Sequence, residues 1–184
     1  EGIWHSGSPM GALLHALRGV HFCVPRNLTE AAGFYNLLLQ GDDPAIVIEP
    51  LNAYRLKEKQ PDNLGEFTTP LGVPEVVKEG SDITVVSYGS TFNLIEGMIP
   101  QFEEAGINIE LIDVRTLLPF DINHMIVESV KKTNKLLVVD EDMPGGASAY
   151  ILQHILQEQG AYYHLDSEPR CLSAKPHRYR VHIP

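Results

Sequence analysis

The first periodic pattern follows Ser8-Pro9, where Met10, Leu13, Leu14 and Leu17 recur at intervals of three and four. Serine suits a cap and proline the first helical position, so the spacing predicts a short helix that Gly19 ends. VHFCVP (20–25) predicts a strand. Asn27 then opens a second helix in which Ala31, Phe34, Leu38 and Leu39 make an apolar stripe. After the turn QGDDP, the continuous apolar run AIVIEP (45–50) predicts a strand buried on both faces of a parallel sheet. From Leu51 to about Gly72 no period is sustained, and so long an irregular stretch reads as a connector between two folded units.

Alternation resumes beyond it. DITVVSYG (82–89) predicts a strand, and NLIEGMIPQFEEAG a helix that Pro100 kinks or shortens. INIELIDVRTLLPFD (107–121) predicts a strand running into a loop, INHMIVESVKKT a helix, KLLVVDED (135–142) a strand and GGASAYILQHILQEQG a helix. Strands alternating with helices imply a parallel sheet with crossover helices. Two α/β units result, the first short of its opening strands. With no initiating methionine before Glu1, the chain is expected to be a fragment.

At 184 residues and 43% hydrophobic content the chain can bury a full core. Its 24 acidic against 14 basic side chains, a net charge of -10, argue against nucleic acid or an anionic membrane as partner. Cys23 and Cys171 stand in apolar surroundings without C-x-x-C spacing and read as buried core thiols. No apolar run has the length of a membrane span and no leader pattern opens the chain, so a cytoplasmic protein is expected.

Candidate chemistry is sparse. SYGSTFNLIEG offers Ser90 and Thr91 as helix caps but neither dinucleotide nor P-loop glycine spacing, so an ordinary strand-to-helix turn is favoured over a phosphate site. Asp140, Glu141 and Asp142 follow a strand's carboxyl end, where open α/β sheets hold ligands. Adjacent strand carboxylates alternate in direction, however, so a polar loop with one partner for Arg115 is the expectation. The histidines lack H-E-x-x-H spacing; His124 and His154 are placed on surface helices. His5 differs, standing between an aromatic residue and small residues before a capped helix, a setting suited to proton transfer near neutral pH. On residues alone a terminal-loop histidine is more often simply exposed.

WHSGSP, VPRN before a helix, DPAIVIEPLNAYR, GSDITVVSYGS, IDVRTLLPFD and KLLVVDEDMPGGASAYI, in that order, resemble the beta component of the thiamine-diphosphate-dependent 2-oxo acid dehydrogenases, within the transketolase-like superfamily. The resemblance covers essentially the whole chain. It implies that residues 1–55 are the end of a pyrimidine-binding α/β domain, 56–72 a connector, and 73–184 a three-layer α/β/α transketolase C-terminal-like domain with a mainly parallel sheet. It implies a catalytic role for His5, which matches the family's Tyr/Trp-His-Ser-Gln stretch except that Gly7 replaces the glutamine.

The implied reaction is decarboxylation of a 2-oxo acid on thiamine diphosphate, followed by acylation of a lipoyl group. The implied cofactors are thiamine diphosphate and Mg, whose main ligands (a glutamate, a Gly-Asp-Gly stretch and a later asparagine) are not found here; no cofactor-binding or metal residue is assigned, and the isolated chain is expected to be inactive. The implied partners are an alpha part, a like subunit through the C-terminal domain, and the lipoyl-bearing second enzyme. A bacterial cytoplasm is the expected compartment, with a mitochondrial matrix as the other. Two further readings compete: a non-catalytic dimerisation and docking module of the same complex, and an enzyme of transketolase or deoxyxylulose phosphate synthase type.

Overall fold

The computed structural model describes residues 7–175. In chain order the elements are α1 (Met10–Ala16), β1 (His21–Cys23), α2 (Leu28–Leu38), β2 (Ala45–Val47), a 3-10 turn (Leu51–Arg55), β3 (Glu75–Lys78), β4 (Ile83–Ser87), α3 (Gly89–Glu96), α4 (Ile99–Glu104), β5 (Ile109–Asp113), β6 (Thr116–Leu118), α5 (Met125–Thr133), β7 (Leu136–Val139), α6 (Ala147–Gln153) and β8 (Arg170–Leu172).

The larger sheet has the order β3-β5-β4-β7-β8. All its pairs are parallel except the edge strand β3, which runs antiparallel to β5. Alternation along the strands divides the core into two layers. Val86, Ile112, Leu136 and Val138 face one way, onto Met10 and Leu14 of α1, Ile126 and Val130 of α5 and Ile151 of α6. Val85, Ile109, Leu111 and Val139 face the other, onto Phe92 and Ile95 of α3, with Ile99 and Phe102 of α4 packed alongside. Helix, sheet and helix layers therefore form the three-layer, mainly parallel fold that the sequence implies. Each fully buried side chain of this size contributes about 1.5–3 kcal/mol.

A second sheet, β2-β1-β6, joins the two parts of the chain. β1 runs parallel to β2 and antiparallel to β6, so Phe22 lies opposite Leu118. Phe22 and Val24 enter the same core layer as Val86 and Ile112.

Several local expectations hold. The Asn27 side chain accepts a hydrogen bond from Glu30 N at 2.8 Å, capping α2, and Ala31 and Phe34 are buried beneath it. Pro100 sits in the first turn of α4, and the predicted single helix is two. Other expectations are corrected. β2 is an edge strand with no fully buried residue, not one covered on both faces. Leu39 lies past the end of α2 and is 84% exposed. Cys171 is exposed on the edge strand β8, whereas Cys23 is buried, its thiol pushed up to about 12 by that burial. Among the described residues no helix is long and apolar enough to cross a membrane.

Candidate functional site

Parallel strands bring their carboxyl ends to one edge of the sheet, and there β4 and β7 present Tyr88 and Asp140 side by side. Asp140 is buried and saturated with donors. Its Oδ1 accepts from the Tyr88 hydroxyl at 2.5 Å and from Asp142 N at 3.1 Å, and its Oδ2 from Ser148 N at 2.8 Å. Ser148 lies in the first turn of α6, so this carboxylate meets amides that a helix start leaves unpaired. Burial, then the Asp140 charge, drives the Tyr88 phenol far above its usual range, which fixes it as a hydrogen-bond donor.

Asp142 faces the other way, toward α1. Its Oδ2 accepts from Gly11 N at 3.2 Å and its Oδ1 from Met143 N at 2.8 Å. There is no space in this contact. A Cβ built at Gly11 would stand 2.8 Å from Gly146 Cα, and one at Gly146 2.3 Å from Asp142 Oδ2, so the glycines set how closely α1 meets the loop. Glu141, between the two aspartates, is raised by burial and by both neighbouring charges, with Ser8 pulling the other way. Asp140 and Asp142 thus point to different partners because the chain bends past the end of β7, not by strand alternation, and none of the three carboxylates pairs with Arg115, contrary to expectation.

Arg115 belongs to a second polar centre, at the seam between α2, β3 and β5. Arg26 Nη1 lies 2.8 Å from Glu30, 3.0 Å from Glu75 and 2.7 Å from Asp113. The Arg26 guanidinium also stands over the Phe92 ring, 5.3 Å from its centroid. Arg115, in the left-handed region at φ 60°, donates through Nε and Nη2 to Val73 O and through Nη1 to Glu75. Three carboxylates share two guanidiniums, which leaves one negative charge in excess.

Burial, with the Asp113 charge adding to it, pushes Glu30 up to about 7 against the pull of Arg26; burial pushes Asp113 up to about 6. The pair titrates as a unit. Since both carboxyls hold protons more tightly folded than unfolded, the contribution of the Glu30–Asp113 pair to stability is greatest below about pH 4 and declines as pH rises to about 7. Glu30→Gln is neutral at every pH, so its melting temperature relative to wild type is expected to climb between about pH 5 and pH 7.5. An offset that stays constant over that range would show that Glu30 does not titrate there.

Of the residues singled out in the sequence, His5 lies outside the described residues. Ser90 and Thr91 sit within α3, whose flank is Tyr88, and cap nothing. His154 is partly buried: its ring meets Tyr150 and Phe120 at tilted angles, 4.2 Å and 5.4 Å between centroids, and its Nδ1 lies 2.8 Å from the exposed Glu158. The sequence reading missed Arg26, Glu30 and Tyr88; an arginine inside the apolar run VPRN was the available signal. Among the described residues no three His, Cys, Asp or Glu side chains converge as metal ligands. Asp140 and Asp142 are engaged with amides and a phenol, so these residues do not fit a magnesium-diphosphate group.

Residues 72–182 match the family described as transketolase, C-terminal domain. The chain is 33% identical over 166 residues to pyruvate dehydrogenase E1 component subunit beta of Acholeplasma laidlawii, covering 90% of this chain and 50% of that protein. It is 34% identical over 168 residues to the mitochondrial 2-oxoisovalerate dehydrogenase subunit beta of Dictyostelium discoideum, covering 90% and 44%. It is 31% identical over 156 residues to acetoin:2,6-dichlorophenolindophenol oxidoreductase subunit beta of Bacillus subtilis, covering 85% and 44%. A solved split-gene transketolase, an inactive beta4 tetramer, superposes with a TM-score of 0.68 at 18% identity, covering 92% of this chain and 52% of that one. The chain spans about half the length of these relatives.

Proposed function

The chain belongs to the transketolase C-terminal domain family, and from that premise we propose that it is the C-terminal part of the beta portion of a thiamine-diphosphate-dependent 2-oxo acid dehydrogenase. The observation that carries this reading is identity of 33% to a pyruvate dehydrogenase beta subunit along 90% of the chain, against 18% for the transketolase of similar fold. Residues 73–184 supply the C-terminal domain, 56–72 the connector, and 1–55 the end of the pyrimidine-binding domain.

In this reading the chain works with an alpha partner, a like subunit and a lipoyl-bearing second enzyme. Thiamine diphosphate with Mg supplies the nucleophilic carbon and the electron sink. Its ligands are assigned to the alpha partner and to other parts of the beta portion, consistent with the engaged carboxylates of the described site. His5, which matches the family's active-site histidine, is given the acid-base role, stabilising the adduct or passing a proton to the lipoyl group.

The test is lipoyl acylation by the assembled enzyme. His5→Ala is expected to lower turnover by about 10²-fold or more, the scale of a lost general acid-base group, with the melting temperature unchanged. Wild-type turnover by that variant would leave a docking module as the better description.

A further inference from the structure

The polar seam draws on both parts of the chain. Arg26 and Glu30 come from the turn after β1 and the first turn of α2, Glu75 from β3, Asp113 from the end of β5, and Arg115 from two residues further on. The Asp113 side chain has no exposed surface, Glu30 is 8% exposed, and Arg26 and Arg115 are 13% and 12% exposed. Glu75, at 41%, is the member nearest solvent. The Phe92 ring of α3 lies against the Arg26 guanidinium.

Three carboxylate oxygens crowd one nitrogen. Arg26 Nη1 carries two hydrogens, yet Glu30 Oε1, Glu75 Oε2 and Asp113 Oδ2 all stand within 3.0 Å of it. Glu75 draws a second donor from Arg115 Nη1 at 3.3 Å, whereas Glu30 lies 3.8 Å from that nitrogen, beyond hydrogen-bond reach. The other oxygens of Glu30 and Asp113 take the amides of Arg26 and Arg115, at 3.0 and 3.2 Å. Two positive charges therefore face three negative ones, and the two most enclosed carboxylates share a single nitrogen. An uncompensated charge is costly in so enclosed a place, and carboxyls sharing a site avoid it by keeping one proton between them.

Beside the cluster, the turn is tied across the seam by two hydrogen bonds. Val24 N donates to Arg115 O at 2.7 Å, and Asn93 Nδ2 to Arg26 O at 2.8 Å. Both bonds end on the arginines of the cluster, so a change in its charge acts on them directly. We infer that the seam is a proton-operated latch: one proton held between Glu30 and Asp113 balances the cluster and keeps the turn between β1 and α2 against β3 and β5, and its release lets that turn part from them. Burial raises both carboxyls, Glu30 to about 7, which agrees with a proton held there. The opening is local to that turn and independent of the reaction the chain serves.

The test is amide hydrogen exchange of the assembled enzyme at about pH 6 and about pH 8, each rate divided by the intrinsic rate at that pH. Opening of the turn returns Glu30 to the ordinary carboxylate range, so exchange at Val24 N is expected to rise about 10-fold between the two conditions. Val24 N should also exchange faster than the β4 amides, which open only with the whole fold. Glu30→Gln and Asp113→Asn each leave two carboxylates to two guanidiniums, so in either variant the exchange at Val24 N should be the same at both pH values.

A wild-type response under about 2-fold, or a response in both variants as large as in the wild type, overturns the inference. So does exchange at Val24 N no faster than in β4, which would mean that the turn departs only when the chain unfolds. Should neither variant fold, carbon-13 titration of the wild-type carboxyls takes their place beside the exchange data. A midpoint above about pH 6 for Glu30 or Asp113 supports the latch, and midpoints below it for both overturn the inference.

Discussion

Replacing Arg26 with alanine is expected to destabilise the fold by about 3–5 kcal/mol, the cost of removing one partner from a buried ion pair. Asp113 has no exposed surface on its side chain and Glu30 very little, and both lean on this guanidinium. Without it, Arg115 remains, 3.8 Å from Glu30 and already committed to Val73 O and Glu75. The loss should be larger near pH 8 than near about pH 5, because burial already favours protonated Glu30 and Asp113 at the lower pH. In a Glu30→Gln/Asp113→Asn background the same substitution should cost far less, since no stranded charge is left behind. Urea unfolding measures both; a loss under about 1 kcal/mol in the wild-type background would mean that the seam relaxes or admits water around the carboxylates.

Asp140→Ala is expected to cost about 3 kcal/mol or more, because it strands three donors at once. The Tyr88 hydroxyl belongs to a side chain only 2% exposed, and Ser148 N and Asp142 N lose the acceptor that organises the loop. Adding Tyr88→Phe should recover part of the loss, since a buried phenyl ring needs no partner where a buried phenol does. If the double variant is no more stable than the single one, the damage comes from the two amides and the helix start instead. Thermal unfolding of the four-member cycle separates these outcomes.

The layers of this fold were legible because they depend on local period. Val85 and Val86, or Leu137 and Val138, point to opposite layers by strand alternation alone. Asn27 and Pro100 act within a few residues of themselves, and both behave as the sequence implies. Burial of AIVIEP was misjudged for a tertiary reason: an apolar run says that a strand is buried somewhere, while its place at a sheet edge depends on its neighbours. β8 is three exposed residues held by β7, which no periodicity can signal.

The polar centres were illegible for a related reason, since Arg26 and Asp113 are 87 residues apart and Gly11 and Asp142 131 apart. The stretches that carry the family resemblance turn out to hold such contacts. VPRN supplies Arg26 and the cap of α2. IDVRTLLPFD supplies Asp113, Arg115 and also Asp121, whose carboxylate accepts from Met125 N and Ile126 N at the start of α5. DEDMPGG supplies Asp140, Asp142 and Gly146.

Synthesis from the amino terminus meets an obstacle in the sheet shared by β1 and β6. Phe22 emerges roughly a hundred residues before Leu118, its neighbour across the ladder, which at about 5–20 residues per second is a delay on the order of 5–20 s. During that interval β1 lacks its β6 neighbour, and much of the core layer that Phe22 enters, from β4, β5 and α5, is still to come. β1 can therefore complete its ladder only after the ribosome has delivered β6.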